Sequence, residues 1–456
     1  MSRGFESHTL RSFERTSVSE PTSAAKASRH RRHPVARHGI LSSPHPFVQV
    51  LQILGAVVAV LAISIGTVGA FAVWDAARAL EDSGVSIGDD ETELPPSIGE
   101  IEGGVNLLVV GTDSCEGQDL ALFPRCADDD GGERNDVTML LNISDSPRRV
   151  TVVSFPRDMV IPIPSCPNED GGSYPAMSAQ MLNSSYMNGG LQCSVLTIEE
   201  LTGVDIQFAA SIRWTGVINM SDAIGGVDVC LSDDIKDIHT GLDLAKGEHT
   251  LVGADALQFL RIRHGIGDGS DLGRISNQQQ FMGSLVRKLK SDAVLANPQA
   301  LFGLATTALQ QVNNGQLVLS SSLANATRMV QIAMAVKDVA YEDIVFVQYP
   351  TEYATGGARV QPVTWAADVL FQAIAENRPL KLTGEVSGGN GVEVVGEADG
   401  DGTIESPTAT PDTAVTPDPS ATPDGTQTPS TDAPVELPSS VTGQTAKQVT
   451  CTRAEQ

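Results

Sequence analysis

The stretch VNLLVVGTD, residues 105–113, is an apolar run rich in valine and closed by Gly-Thr-Asp. Its length and β-branched content predict a buried strand that delivers Asp113 at its carboxyl end. Two further runs of the same kind follow, DVTMLLNIS at 136–144 and RRVTVVSFP at 148–156, and then FAASIRW, VDVCL and DIVFVQYP. Between them lie segments with helical spacing of apolar residues: AMSAQMLNSSYMNG, LTIEELTG, TGVINMSDAIGG, LVGADALQFL, RISNQQQFMGSLVRKLKSDAVL, PQALFGLATTALQQV, SLANATRMVQIAMAVKD and TWAADVLFQAIAENR. Strands interleaved with helices over this length predict an α/β/α sandwich, a central mixed sheet covered by helices on both faces.

Outward from this region the composition changes. Residues 1–46 hold eight Lys/Arg against three Glu and show no hydrophobic period, which predicts a disordered basic arm. Residues 47–74 carry no charge, and Ile53 to Val73 as a helix would run roughly 31 Å, the thickness of a bilayer core. A cleaved signal peptide is the alternative, since AFA at 70–72 has small-x-small spacing, but signal cores are shorter than this run. An uncleaved transmembrane helix is the reading adopted. Basic residues before it and Asp75, Glu81, Asp82, Asp89 and Asp90 after it place the N-terminus in the cytoplasm and the rest outside, in a single-pass cell-membrane protein. Residues 75–96 form an acidic linker, 97–383 the folded domain, and 384–456 a Pro/Thr/Asp-rich tail expected to be flexible.

The six cysteines all follow the span, and an oxidising compartment favours disulfides over metal thiolates. Proximity suggests Cys115–Cys126 and Cys166–Cys193, leaving Cys230 for Cys451; a free buried thiol is the alternative at Cys230.

Charge supplies the functional argument. The chain carries a formal net charge of −26, yet Arg261, Arg263 and Arg274 gather around GDGSDLGRISNQQQ, residues 267–280. Arg274 and Gln278 share one face of a helix, and Arg261 and Arg263 point the same way if the chain is extended there. With Arg134 and with Arg157 after the third strand, such a cluster repels itself unless an anion neutralises it, and a phosphate or pyrophosphate is the natural ligand. The competing reading is a salt-bridge network with Asp268, Asp271 and Glu133 or Asp136. Asp113 and Asp136, at adjacent strand ends, suit a hard cation such as Mg²⁺.

The segments VVGTD, RNDVTML, VVSFPRD, DAIGGVDVCL and LRIRHGIGDGSDLGRISNQQQ, in this order behind one N-terminal span, resemble the LytR-CpsA-Psr family of cell-wall glycopolymer ligases in an actinobacterial form. The resemblance covers about residues 100–380. It implies a Mg²⁺-dependent phosphotransferase, with Mn²⁺ as an alternative metal, that moves a glycan as a glycosyl phosphate from a polyprenyl pyrophosphate carrier onto peptidoglycan and releases polyprenyl monophosphate. It assigns Asp113 and Asp136 to the metal and Arg134, Arg157, Arg261, Arg263, Arg274 and Gln278 to the pyrophosphate. Arg157, Asp158 and Arg263 would be catalytic, Asp158 either orienting Arg157 or serving as base. It further implies an apolar tunnel for the prenyl chain, with AMSAQMLNSSYMNGG and QQFMGSLVRKL as candidate walls. Two positions depart from the family pattern: Asn277 where an arginine is common, and SIRW, with Arg213, where a VDF-like strand is common.

Other motifs carry less. GVSIG at 84–88 fits a nucleophile elbow but has no strand before it, and His264 is either a phosphate contact or a helix-end residue. The basic arm lacks interleaved aromatics, so anionic lipid headgroups are expected there rather than nucleic acid. Two other functions share the same residues: a pyrophosphatase acting on the lipid-linked glycan, and a non-catalytic module that binds polyprenyl lipids and regulates the envelope.

Overall fold

A computed structural model describes residues 101–455 apart from 129–131, 169, 358, 399–403 and 406–432, together with 47, 51, 54 and 84–87. The basic arm, almost all of the apolar run 47–74 and the Pro/Thr-rich centre of the tail lie outside the described residues. Among the described residues no helix is long and apolar enough to cross a membrane.

In chain order the principal elements of the first half are β1 (Val105–Thr112), β2 (Asn135–Ile143), β3 (Val150–Phe155), α1 (Gly190–Thr202), β4 (Phe208–Ile212), α2 (Trp214–Ala223), β5 (Val227–Leu231), β6 (Gly247–Leu251), α3 (Gly253–Arg261) and α4 (Asp271–Ser291). The second half contributes α5 (Pro298–Asn313), β7 (Leu317–Leu319), α6 (Ala326–Met334), β8 (Ile344–Gln348), α7 (Thr364–Ala375), β9 (Val392–Ala398), β10 (Ile404–Glu405), β11 (Gly443–Thr445) and β12 (Gln448–Thr452).

The central sheet is seven-stranded and mixed, in the order β7-β4-β1-β2-β3-β8-β11. β1 pairs antiparallel with β2 and parallel with β4, and β3 pairs parallel with β8. Because successive side chains alternate across a strand, each central strand feeds two cores. Val105, Met139, Val152, Phe208 and Phe346 pack toward α5 and α6, where Leu309 and Ile332 meet them. Leu108, Leu140, Val153 and Val345 pack the other way, against Val195 and Ile198 of α1 and Leu370 and Phe371 of α7. Helices therefore cover both faces, and full burial of each such side chain contributes about 1.5–3 kcal/mol. All three disulfides join the pairs suggested by proximity, Cys115–Cys126, Cys166–Cys193 and Cys230–Cys451.

Three expectations need correction. The segment at 176–189 is not a helix over its length: Met177–Met181 is a strand and only Ser184–Met187 is helical, because the polar interruptions at Ser178, Gln180 and Asn183 leave no helical apolar face. The tail is not uniformly flexible. β9 and β12 join β5 and β6 in a second, five-stranded sheet, β6-β5-β12-β9-β10, and β11 forms the edge of the central sheet beside β8. Leu437, Val441 and Ala446 are buried. Composition averaged over 384–456 hid two strand-forming ends, VEVVGEA and QVTCT, behind the low-complexity middle. The linker also contributes: the Val85 amide donates to the Leu319 carbonyl at 2.9 Å, and Ser321 returns a bond to Val85 at 2.9 Å. GVSIG is thus an edge pairing rather than an elbow.

Candidate active site

The Gly/Asp-rich loop between α3 and α4 has the shape its glycines dictate. Gly267 adopts φ +55°, and a Cβ there would stand 2.2 Å from the Gly389 carbonyl oxygen, so only glycine fits. Ser270 caps α4, accepting from the Gly273 amide at 3.3 Å, and Asp271 opens its first turn. The polar run after Arg274 serves the backbone. Asn277 donates to Phe259 O at 2.8 Å and Gln278 to Leu260 O at 2.9 Å, two carbonyls at the C-terminal end of α3, where helices leave such groups unpaired. Thr452 in β12 donates its hydroxyl to Asn277 or Gln280, each at 2.6 Å. The loop is also tied to the C-terminal strand, since Gly267 N donates to Arg453 O at 3.2 Å and Glu455 N to Gly265 O at 3.1 Å. Asn277, a departure from the family pattern, is therefore a structural link between α3, α4 and the tail.

Three of the sequence-predicted arginines form an ion-pair lattice. Asp271, whose side chain is 9% exposed, accepts from Arg263 Nη2 at 2.6 Å and contacts Arg274 Nη2 at 2.7 Å; the Arg157 backbone amide donates to it at 3.2 Å. Burial alone would raise the Asp271 carboxyl, but Arg274 and Arg263 hold it below its ordinary value. Arg157 pairs with Asp136 and, at 3.5 Å, with Asp158, which also lies 3.5 Å from Arg263. Arg274 Nη2 further donates to the Asp136 carbonyl at 2.6 Å. The salt-bridge reading thus holds for Arg157, Arg263 and Arg274. It fails for Glu133, which binds Arg213 at 2.9 Å, and for Asp268, which accepts from Ser270 N at 2.9 Å.

Arg261 is different. Its guanidinium carbon stands 4.3 Å from the Trp214 ring centre, and Arg125, on the turn closed by Cys115–Cys126, stands 4.4 Å from the same ring. Neither arginine has a carboxylate within ion-pair distance among the described residues. Burial and then the charge of Arg125 pull Arg261 down to about 10. Both line a cavity of about 460 Å³ between the central sheet and α2, α3 and α4. Asp136, Arg157, Arg263, Arg274 and Gln278 line it too, while Val109, Val137, Met139, Ile212, Leu260 and Met282 make its apolar walls.

Asp113 and Asp136 sit at the sheet end beside this cavity. Asp113 Oδ1 accepts from the Arg134 amide at 2.8 Å, fixing its carboxylate against the start of β2. The Asp113 carboxyl is raised, first by burial and then by the repulsion of Asp136. Two carboxylates close enough to repel, only Asp136 of them paired with an arginine among the described residues, fit a divalent cation such as Mg²⁺. Among the described residues no group of three or more His, Cys, Asp or Glu forms a denser metal cluster.

The cavity brings Arg157, Arg261, Arg263, Arg274, Gln278 and Asp136 together. Arg134 is exposed and does not line it, and Asp158 lies behind Arg157 and Arg263 in the position of an orienting group. One Gln278 amide hydrogen is committed to the Leu260 carbonyl. Of the two candidate tunnel walls, QQFMGSLVRKL supplies Met282, and residues 176–190 supply nothing. His264 also lines the cavity and packs against His239 with ring centres 4.6 Å apart and the rings tilted. Asp271 was named only as a partner in the competing salt-bridge network, not as a site residue, and Arg125 was missed. The i,i+3 spacing of Asp271 and Arg274 was a readable sign of the first, and the proposed Cys115–Cys126 pairing, which returns Arg125 toward Asp113, of the second.

The chain is similar to several known proteins. The LytR_cpsA_psr family model matches residues 76–373. The chain belongs to the LytR-CpsA-Psr family. It is similar to the cell wall biosynthesis protein LcpA of Corynebacterium glutamicum, 30% identical over 232 residues, 46% of this chain and 45% of that one. It is also similar to the polyisoprenyl-teichoic acid–peptidoglycan teichoic acid transferase TagU of Bacillus mycoides, 29% identical over 207 residues, 45% of this chain and 58% of that one. The chain spans about half the length of the curated relatives it matches. Among solved structures, a LytR-Csp2A-Psr enzyme from Actinomyces oris aligns with 64% of this chain and 94% of its own, at 23% identity and a TM-score of 0.43.

Proposed function

We propose that this LytR-CpsA-Psr protein is a Mg²⁺-dependent phosphotransferase that joins a glycopolymer, carried on a polyprenyl pyrophosphate, to peptidoglycan. The observation that carries the reading is one cavity with Asp136 and the guanidiniums of Arg125 and Arg261, which have no carboxylate within ion-pair distance among the described residues, at one part of its wall, apolar side chains at another, and Asp113 beside it. An amphiphile with a multiply charged head and a hydrocarbon chain matches both. The name of the Bacillus relative, a teichoic acid transferase acting between a polyisoprenyl carrier and peptidoglycan, supports the same chemistry.

Asp113 and Asp136 would hold Mg²⁺, which supplies charge neutralisation at the phosphate oxygens. Arg261 binds the anionic head without a competing carboxylate. Arg157, Arg263 and Arg274, fixed by Asp136, Asp158 and Asp271, present their remaining N–H groups in set directions, so they stabilise charge without reorganising. In the transfer, an acceptor hydroxyl oxygen bonds to the phosphorus nearest the sugar, and the bridging P–O bond to the lipid phosphate breaks. The hydroxyl proton leaves to a base, and the lipid departs as its monophosphate. Asp158, in contact with both Arg157 and Arg263, keeps the clamp oriented. The charge-free run 47–74 supports a membrane anchor with the catalytic domain outside, which raises the effective concentration of a lipid-borne donor.

The test is turnover by the full chain in detergent with a polyprenyl pyrophosphate-linked oligosaccharide, peptidoglycan fragments and Mg²⁺. Glycan should appear on the acceptor, chelation should abolish the reaction, and Arg263→Ala should lower it at least a hundredfold, on the order expected for loss of a transition-state charge contact. Donor bound but never turned over, with Mg²⁺ present, would refute catalysis.

A further inference from the structure

The turn that carries Arg125 is short-circuited to the candidate metal ligand. Asp113 precedes Cys115 by two residues, Arg125 precedes Cys126 by one, and the Cys115–Cys126 bridge joins the two limbs with Cα atoms 5.2 Å apart. Asp113 and Arg125 are thus tied through the bridge, across Ser114, Cys115 and Cys126, although eleven residues lie between them along the chain. The charge of Arg125 is felt at both Asp113 and Arg261. Phe123, on the same turn, packs on Trp214 with ring centres 4.8 Å apart, and both are buried. The turn is therefore anchored on the residue that Arg125 and Arg261 share.

Two guanidiniums held against one indole, both facing a cavity and neither paired with an acid among the described residues, repel each other. Cation–π contact returns only about 0.5–2 kcal/mol per guanidinium. Shared phosphate oxygens relieve the repulsion, and a guanidinium fork binds them bidentately. We infer that Arg125 and Arg261 form a two-arginine subsite for one phosphate of a diphosphate ester, with Arg125 as an additional binding residue delivered by the disulfide-closed turn. This rests on the transferase reading for the identity of the donor, though not for the anion chemistry. Arg125 shares Trp214 with Arg261, and its charge acts on Asp113, so the subsite favours a diphosphate, whose second phosphate reaches the metal carboxylates, over a monophosphate.

The experiment uses the full chain in detergent with Mg²⁺, titrated calorimetrically with inorganic pyrophosphate and, separately, with inorganic phosphate. Arg125→Ala should weaken pyrophosphate binding roughly tenfold or more, the scale of a lost charge-assisted contact, while phosphate changes less than about threefold. Arg125→Lys should fall between, because it keeps the charge and loses the fork. In turnover, donor KM should rise by a similar factor with kcat changed less than about threefold. The thermal midpoint should stay within about 2 °C, since Arg125 is exposed and makes no ion pair among the described residues. Unchanged pyrophosphate binding in Arg125→Ala overturns the subsite, as does a loss of binding that merely tracks a fallen melting temperature. If glycan is never transferred but Arg125→Ala still loses pyrophosphate, the subsite stands and the transferase reading falls. If transfer proceeds with unchanged donor KM, the subsite falls alone.

Discussion

Two groups of arginine share one cavity wall and differ in what surrounds them. Arg157, Arg263 and Arg274 are held by Asp136, Asp158 and Asp271, whereas Arg125 and Arg261 lean on Trp214 with no acid partner among the described residues. The first group already has its counter-charge, so its worth to a ligand lies in fixed direction; the second has charge to spare, so its worth lies in attraction. A count of arginines in the sequence cannot separate them, because the distinction depends on which acids fold against which guanidiniums.

The sharpest break of this contrast is Asp271→Ala. It leaves the buried Arg274 without its counter-charge and Arg263 with Asp158 alone, and removal of one member of a buried pair costs about 3–5 kcal/mol. Chemical denaturation should show that loss, and transfer should vanish with it. Asp271 has a depressed pKa, so its stabilisation is full above the ordinary carboxylate value of 3.8 and is lost as pH falls through the folded value. Arg261→Ala should do the opposite: stability nearly kept, affinity for a diphosphate lowered roughly tenfold, as read by equilibrium binding. Equal stability losses in the two variants would erase the distinction.

A smaller effect concerns Asp113. Its raised carboxyl binds more protons folded than unfolded between 3.8 and its folded value, so stability falls as pH rises through that window. Asp113→Asn lacks this contribution. In metal-free protein, the stability of the unaltered chain relative to Asp113→Asn should improve as pH is lowered from 7 toward about 4, measured by denaturation at each pH. Added Mg²⁺ at neutral pH should favour the unaltered chain. Least affected should be Arg134→Ala, with turnover changed less than about twofold. Arg134 serves Asp113 through its main-chain amide, which alanine keeps, and its side chain is exposed.

These expectations show where the sequence was readable. The central strands were legible because VNLLVVGT and VTVVSF are short, apolar and β-branched, and one face each of two cores needs no other information. Arg157, Arg261, Arg263, Arg274 and Asp136 were legible as a set because an anionic chain rarely concentrates cations around glycines. The second sheet was not, since β5 finds its partners β6 and β12 across a loop and across 221 residues, a pairing fixed by Cys230–Cys451 and by no local pattern. Arg125 was hidden because, although the local Cys115–Cys126 bridge was readable, its place over the cavity depends on Phe123 meeting Trp214, a contact between distant segments.

The most direct test of the whole account follows the phosphorus. Full-length protein in detergent, Mg²⁺, lipid pyrophosphate-linked oligosaccharide and peptidoglycan fragments are incubated in ¹⁸O-labelled water, and the products are read by mass spectrometry. The account predicts an unlabelled phosphodiester joining glycan to the peptidoglycan hydroxyl, with lipid monophosphate released in equal amount. Free glycan phosphate carrying ¹⁸O, with no glycan on the acceptor, would mean that water is the nucleophile and would contradict it.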